Sequence, residues 1–144
     1  MATKVRSRAS KGKTFTDEEK SAMQARVREL QSAPADGESE VLAKIDSMQA
    51  PDRAMAKRLH ALIKASVPAF SSRTYYGMPA YAIDGKVVCW YKAAEKFKTR
   101  YATIGFSDAA RLDDGKLWPT EYAVTELNAA TEAKISALVK KAAG

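Results

Sequence analysis

Three cations, Lys96, Lys98 and Arg100, alternate with Phe97, Thr99 and Tyr101. On a strand, a period of two puts the cations on one face and the two rings on the other. With Lys92 close by, this is either a stripe that holds a phosphate or carboxylate by charge-assisted hydrogen bonds, or the solvated face that an antiparallel sheet needs. A second group is aromatic: Tyr75, Tyr76, Tyr81, Trp90 and Tyr91. Such rings either line a pocket whose hydroxyls orient a small ligand, or form core with their polar tips reaching water or backbone. The candidate ligand-binding residues are therefore Tyr76, Tyr81, Trp90, Lys92, Lys96, Lys98 and Arg100.

Other chemistries find less to work with. A metal site needs clustered His, Cys, Asp or Glu, and the chain has one His and one Cys. His60 falls at the edge of an apolar helical stripe and reads as a boundary residue packed by its ring; a role as ligand or base is the lesser option. Cys89 sits in the most apolar run, Val87-Val88-Cys89-Trp90-Tyr91, where cysteine behaves as a small hydrophobe. Phosphate-cradling loops need closely spaced glycines. Gly77 and Gly85 are the closest pair of the seven, so the nucleotide fingerprints are absent. Asp113 and Asp114 precede Gly115 and read as a turn. Glu38, Glu40 and Asp46 offer an acidic helix face, which helix N-terminal complementarity explains for the first two. No catalytic residue is assigned, and the expectation is a protein that is not an enzyme.

The elements that must position these residues are legible from periodicity. Thr16 and Glu19 have the spacing of a capping box. Met23, Val27 and Leu30 follow on one helical face, and Ala33-Pro34-Ala35 ends that helix. Asp36 can cap a second helix with the stripe Val41, Leu42, Ile45 and Met48. Pro51 suits the first turn of a third, whose buried face is Met55, Leu59, Leu62 and Ile63 and which Pro68 stops.

Nine of the twelve aromatic residues then lie between Phe70 and Phe106, which marks the sheet. Arg73 to Tyr76 reads as a short strand, interrupted by Gly77-Met78-Pro79. Tyr81 to Ile83 and Lys86 to Tyr91 flank Asp84-Gly85, a type I′ hairpin signal. Lys98 to Phe106 and Glu121 to Thr125 are the remaining strands. Asn128 caps a last helix with Ile135, Leu138, Val139 and Ala142 on one face and Lys140 and Lys141 in its final turn. Runs of helix, then strand, then helix predict an α+β fold: N-terminal helices and one C-terminal helix packed on an antiparallel sheet of about five strands.

At 144 residues the chain fits a single domain over residues 15–144. The first fourteen residues hold Lys4, Arg6, Arg8, Lys11 and Lys13 and no acid, which predicts a disordered basic arm. They carry five of the seven net positive charges, leaving +2 for the body. That is not the basic face of a dedicated nucleic-acid binder. The arm could still add weak, salt-sensitive attraction to polyanions. A single cysteine forms no internal disulfide, no apolar run is long enough to span a membrane, and no apolar segment follows the N-terminus as a secretory signal would. Cytoplasm is the expected compartment.

Tyr76-Gly77-Met78-Pro79-Ala80-Tyr81, then Asp84-Gly85-Lys86-Val87, then Tyr101 to Phe106 resemble the YdhG-like domain of unknown function. The resemblance runs to the terminal Leu138-Val139-Lys140-Lys141 and covers about residues 40–142. It implies helices packed on an antiparallel sheet. One branch of that family is described as frataxin-like, delivering iron to partner proteins, so the resemblance implies iron as a cargo, although no iron ligand maps onto this chain residue by residue. The expected function is a non-enzymatic ligand-binding or protein-interaction domain, with iron delivery as its most concrete form and an unknown protein or small ligand as partner. The alternative is a binder of phosphorylated ligands or nucleic acid through the arm and residues 92–100.

Overall fold

The computed structural model describes residues 15–31 and 37–144. The predicted arm over 1–14, the Leu30 side chain, the Ala33-Pro34-Ala35 stop and the Asp36 cap lie outside the described residues. Three helices come first, α1 (Asp17–Gln31), α2 (Gly37–Asp46) and α3 (Ala50–Ser66). Strands β1 (Ser71–Tyr75), β2 (Met78–Ile83) and β3 (Lys86–Lys92) follow, then a single turn of helix, α4 (Ala94–Phe97). Strands β4 (Ala102–Phe106) and β5 (Glu121–Val124) and helix α5 (Ala129–Ala143) complete the chain. The strands form one antiparallel sheet in sequence order, β1-β2-β3-β4-β5, so the fold is α+β as predicted.

Two hairpins of the same kind build the first half of the sheet. Ile83 pairs with Lys86 across Asp84 (φ 52°) and Gly85 (φ 78°), the predicted type I′ turn. Tyr75 pairs with Met78 across Tyr76 (φ 53°) and Gly77 (φ 78°) in the same way. The predicted break at Gly77-Met78-Pro79 is therefore confined to the turn, and Met78 and Pro79 belong to β2. Pro79 lies near the strand start, opposite Thr74, where the missing donor costs the ladder little.

Pairing register sorts the side chains. Ser72, Tyr81, Cys89 and Phe106 lie in one row across the sheet, and Tyr91 and Ile104 share their face. This inner face meets α3 and α5. Leu59, Ile63, Ile135 and Val139 close over it, joined by Val41 and Ile45 of α2. Met55, Leu62 and Leu138 pack at the margin, as their stripes predicted. The Asn128 cap holds, its Oδ1 accepting from Thr131 N at 2.9 Å. The capping box holds too, with Glu19 N donating to Thr16 Oγ1 and Thr16 N to Glu19 Oε1.

The first two helices depart from their predicted stripes. In α2 Leu42 is exposed, while Val41, Ile45 and, just past the helix, Met48 are buried as predicted. In α1, Met23 is 40% and Val27 57% exposed, while Ala25 and Glu29 are buried. Helix α1 lies against β1 and α4, and among the described residues its ties to them are largely polar. Glu29 accepts from the amides of Tyr76 and Gly77 at 2.8 Å each, and Glu18 pairs with Lys98 at 2.8 Å.

Candidate functional site

The outer face of the sheet carries Tyr75, Met78, Trp90, Lys92, Gly105 and Glu121 by register. Across one row, Trp90 pairs with Gly105 and Gly105 with Glu121. Gly105 lets the indole lie flat over β4: a Cβ there would stand 2.6 Å from Trp90 Nε1 and closer still to the six-membered ring. With no side chain beneath it, Trp90 becomes a floor. Tyr75 stands beside it, ring centres 5.7 Å apart and tilted, and meets Tyr76 edge to face at 4.8 Å.

Ala22 and Met23 of helix α1, with Phe15 just before it, roof part of this floor, leaving a cleft of about 410 Å³. Phe97 of α4 closes a side, and Glu19, Lys92 and Glu121 are the charged residues in its lining. Phe15, Met23 and Tyr76, three of the exposed large apolar residues, all border it.

Several polar ties fix the walls. Tyr76 is held in the left-handed region, uncommon for a bulky residue, by the Glu29 carboxylate on its amide and by Arg26 over its ring. Arg26 also covers the Tyr75 ring, 4.8 Å from its centre. Asp52 of α3, itself buried, accepts from Glu95 N and Lys96 N and so starts α4. Lys96 Nζ donates to Gly77 O at 2.9 Å and stands over the Phe97 ring. Burial lowers the Lys96 ammonium to about 8; Lys44 adds to the fall and Glu29 opposes it.

Of the seven candidate residues the structure brings Tyr76, Trp90 and Lys92 together in the cleft. The others go elsewhere. The predicted strand from Lys98 begins only at Ala102, because Ala94–Phe97 coils and Lys98 turns left-handed (φ 56°) to end that coil. Ala94, Glu95 and Lys96 are good helix formers, and the Asp52 carboxylate settles the choice. The cationic stripe is thereby dissolved. Lys96 is a half-buried tie at the Gly77 turn, Lys98 pairs with Glu18, and Arg100 lies exposed over the Tyr101 ring.

Tyr81 is 1% exposed on the opposite face of the sheet, so it does not belong to the cleft. Its hydroxyl meets His60 Nδ1 at 2.9 Å, and His60 Nε2 meets Glu38 Oε2 at 2.8 Å. An ionised carboxylate only accepts, so a neutral ring carries its proton on Nε2 and takes one hydrogen bond from Tyr81. Partial burial works to raise the Glu38 carboxyl; the Ser72 hydroxyl, His60 and the Lys64 ammonium outweigh it and leave it below the ordinary value. This chain of three ties α2 and α3 to β2. Its tyrosine is sealed from solvent, and burial raises that phenol far above its usual range, so the Tyr81 hydroxyl is not a reactive group. Cys89 is likewise inert, fully buried and pushed up to about 12 by that burial.

Among the described residues no three His, Cys, Asp or Glu side chains converge as metal ligands. The acids of α2 diverge, Glu38 to His60 and Asp46 to Lys57. Sequence reasoning named Tyr75 among the rings but missed Phe15, Met23, Phe97 and Glu121. Gly105 directly across the ladder from an aromatic residue was the one available signal, and it needs the register to be seen. Compared with known proteins, the chain matches no family model, no curated protein and no solved structure. No described helix is long and apolar enough to cross a membrane.

Proposed function

We propose that this chain is a small non-enzymatic ligand-binding domain of the YdhG-like type, working in the cytoplasm, and that its site is the cleft between α1 and the outer face of the sheet. The observation that carries this reading is Trp90 laid flat over Gly105 at the floor of an aromatic cleft. A chain that used these rings only as core would bury them. Here Tyr75 and Trp90 stay partly open and Tyr76 is 39% exposed, at the cost of a left-handed tyrosine. The type I′ turn that demands this conformation also holds the Tyr76 ring at the exposed edge of the cleft.

Iron delivery draws little support from this geometry. Ferrous iron requires hard oxygen donors converging on a point, and among the described residues no such cluster forms, Glu29, Asp52, Glu38, Asp46 and Glu18 each being tied to amides, to His60 or to a single lysine. Binding of phosphorylated ligands or nucleic acid loses the strand at 92–100 as a continuous cationic face and would rest on the arm. A steep loss of affinity with salt is what that reading requires.

The test uses a Trp118→Phe chain, so that Trp90 is the only indole. Energy transfer from Trp90 to anilinonaphthalene sulfonate should saturate with added dye. Replacing Tyr75 by Ala removes a ring face worth about 1 kcal/mol, which is about fivefold in affinity. Unsaturable transfer, or an affinity indifferent to Tyr75→Ala, would rule the cleft out as the site.

A further inference from the structure

The three charged residues lining the cleft are not equivalent. Glu19 is committed to the capping box, its Oε1 accepting from Thr16 N. Among the described residues, the side chains of Lys92 and Glu121 make no hydrogen bond or ion pair, and Lys92 Nζ only stands 5.5 Å from the Phe97 ring centre. One cation and one anion therefore face the same aromatic cleft without satisfying each other.

Their placement explains why. Lys92 pairs with Thr103 and Thr103 with Ala123, so Glu121 lies two strands away and two residues along. At ordinary sheet spacings that is about 12 Å between Cα atoms. Bridging it directly would need both side chains extended fully towards each other, and among the described residues no such ion pair forms; short of that, the two charges leave room for a small head group bearing both. A lone anion would satisfy Lys92 and be repelled by Glu19 and Glu121. A lone cation would leave Lys92 without a partner. A zwitterion complements both.

Between the two charges lies the open face of Trp90, flanked by Tyr75, which calls for an apolar or aromatic body on the same ligand. A cleft of about 410 Å³ falls at the small end of ligand pockets. It has room for a single residue and not for a folded segment.

We propose that the ligand of this cleft is a free α-amino acid with an aromatic or large apolar side chain, its carboxylate on Lys92, its ammonium on Glu121 and its side chain on Trp90. This inference rests on the cleft being the binding site. It adds the chemical class of the ligand and assigns Glu121 as a specificity residue.

Calorimetry on the full chain near neutral pH tests it, with L-phenylalanine as the probe beside phenethylamine and phenylpropionate, which each lack one of the two charges. Phenylalanine should bind with a millimolar or tighter dissociation constant, and each half-ligand about tenfold more weakly, the loss of one charge-assisted contact. In Lys92→Met the advantage over phenethylamine should vanish; in Glu121→Gln the advantage over phenylpropionate should vanish. Both side chains are partly or fully exposed, Gln matches Glu in size and Met follows all but the last atom of Lys, so the fold is retained. A half-ligand binding as tightly as phenylalanine, or a Lys92→Met chain that still prefers phenylalanine over phenethylamine, overturns the proposal. If no amino acid binds while the dye still binds in a Tyr75-dependent way, the zwitterion inference fails and the cleft stands. If neither binds, both fail.

Discussion

On the inner face of the sheet, Tyr81, Cys89, Tyr91 and Phe106 are each at most 4% exposed, covered by Leu59, Ile63, Ile135 and Val139. On the outer face, Trp90, Tyr75 and Lys92 are only partly covered, and the helix above them leaves Met23, at the cleft edge, and Val27 exposed. The inner face is stabilised by area: burying a large apolar side chain is worth about 1.5–3 kcal/mol. The outer face is stabilised by a few directional ties, Glu29 on two turn amides, Lys96 on Gly77 O and Glu18 on Lys98. Apolar contact on that side is left unfinished. One sheet thus separates rings sealed in the core on one side from rings left partly open on the other.

The comparison breaks most readily at the core. Ile63→Ala should cost about 2–5 kcal/mol of stability, and Met23→Ala no more than about 0.5 kcal/mol, read as urea midpoints with unchanged slope. A Met23→Ala cost approaching that of Ile63→Ala would mean that α1 is held by apolar burial after all. Gly105→Ala should come next. Its methyl must push the Trp90 ring off β4, an overpacking cost of about 1–3 kcal/mol. The near-ultraviolet dichroism of that indole should change with it; an unaltered signal would show that the ring does not lie against Gly105.

Tyr81→Phe sharpens the inner side. It leaves His60 Nδ1 buried without a donor and should cost about 1–2 kcal/mol. The depressed Glu38 carboxyl adds a pH dependence of known sign. Because the folded value lies below the unfolded one, its stabilisation is present above the unfolded pKa and fades as pH falls through the folded one. His60→Gln should flatten the acid limb, and an acid limb that keeps its shape would detach Glu38 from that linkage.

On the outer side, Glu29→Gln keeps the size of the side chain but leaves one acceptor oxygen for two amides and sets its NH2 against the other N–H, at a cost of about 1–2 kcal/mol. The loss should be local. Faster hydrogen exchange is expected at Tyr76 and Gly77 and along α1, with the β3 and β4 amides unchanged. Uniform acceleration through the sheet would contradict a separately held helix.

A pH effect of opposite sense concerns Lys96, whose ammonium is lowered to about 8 from an ordinary 10.5. Between those values the unfolded chain holds a proton that the folded chain lacks, so stability should rise with pH across that window. Lys96→Met should abolish the rise. A wild-type chain with no rise would place this amine in water.

Much of the architecture was written in local patterns. The capping box at Thr16, the Asn128 cap, the Asp84-Gly85 turn and the stripes of α3 and α5 each depend on residues within a few positions of one another, and all could be seen along the chain. The five-stranded antiparallel sheet followed from the aromatic segment between helices. The two failures share a cause. Residues 96–100 alternate as a strand would, but a carboxylate from α3, more than forty residues earlier, holds the amides that coil α4. The stripe of α1 promised burial, but the body offers that helix an amide turn for Glu29 in place of an apolar groove.

Sequence by itself therefore determined which segments coil, which pair, and that the aromatic residues gather in the sheet, because those choices rest on periodicity and short-range caps. Only the tertiary structure decided which rings face the core and which the cleft. A strand's two faces differ by one residue, and nothing local says which face a helix will cover. Tyr81 and Trp90 read alike in the sequence, and register set them on opposite sides of one sheet.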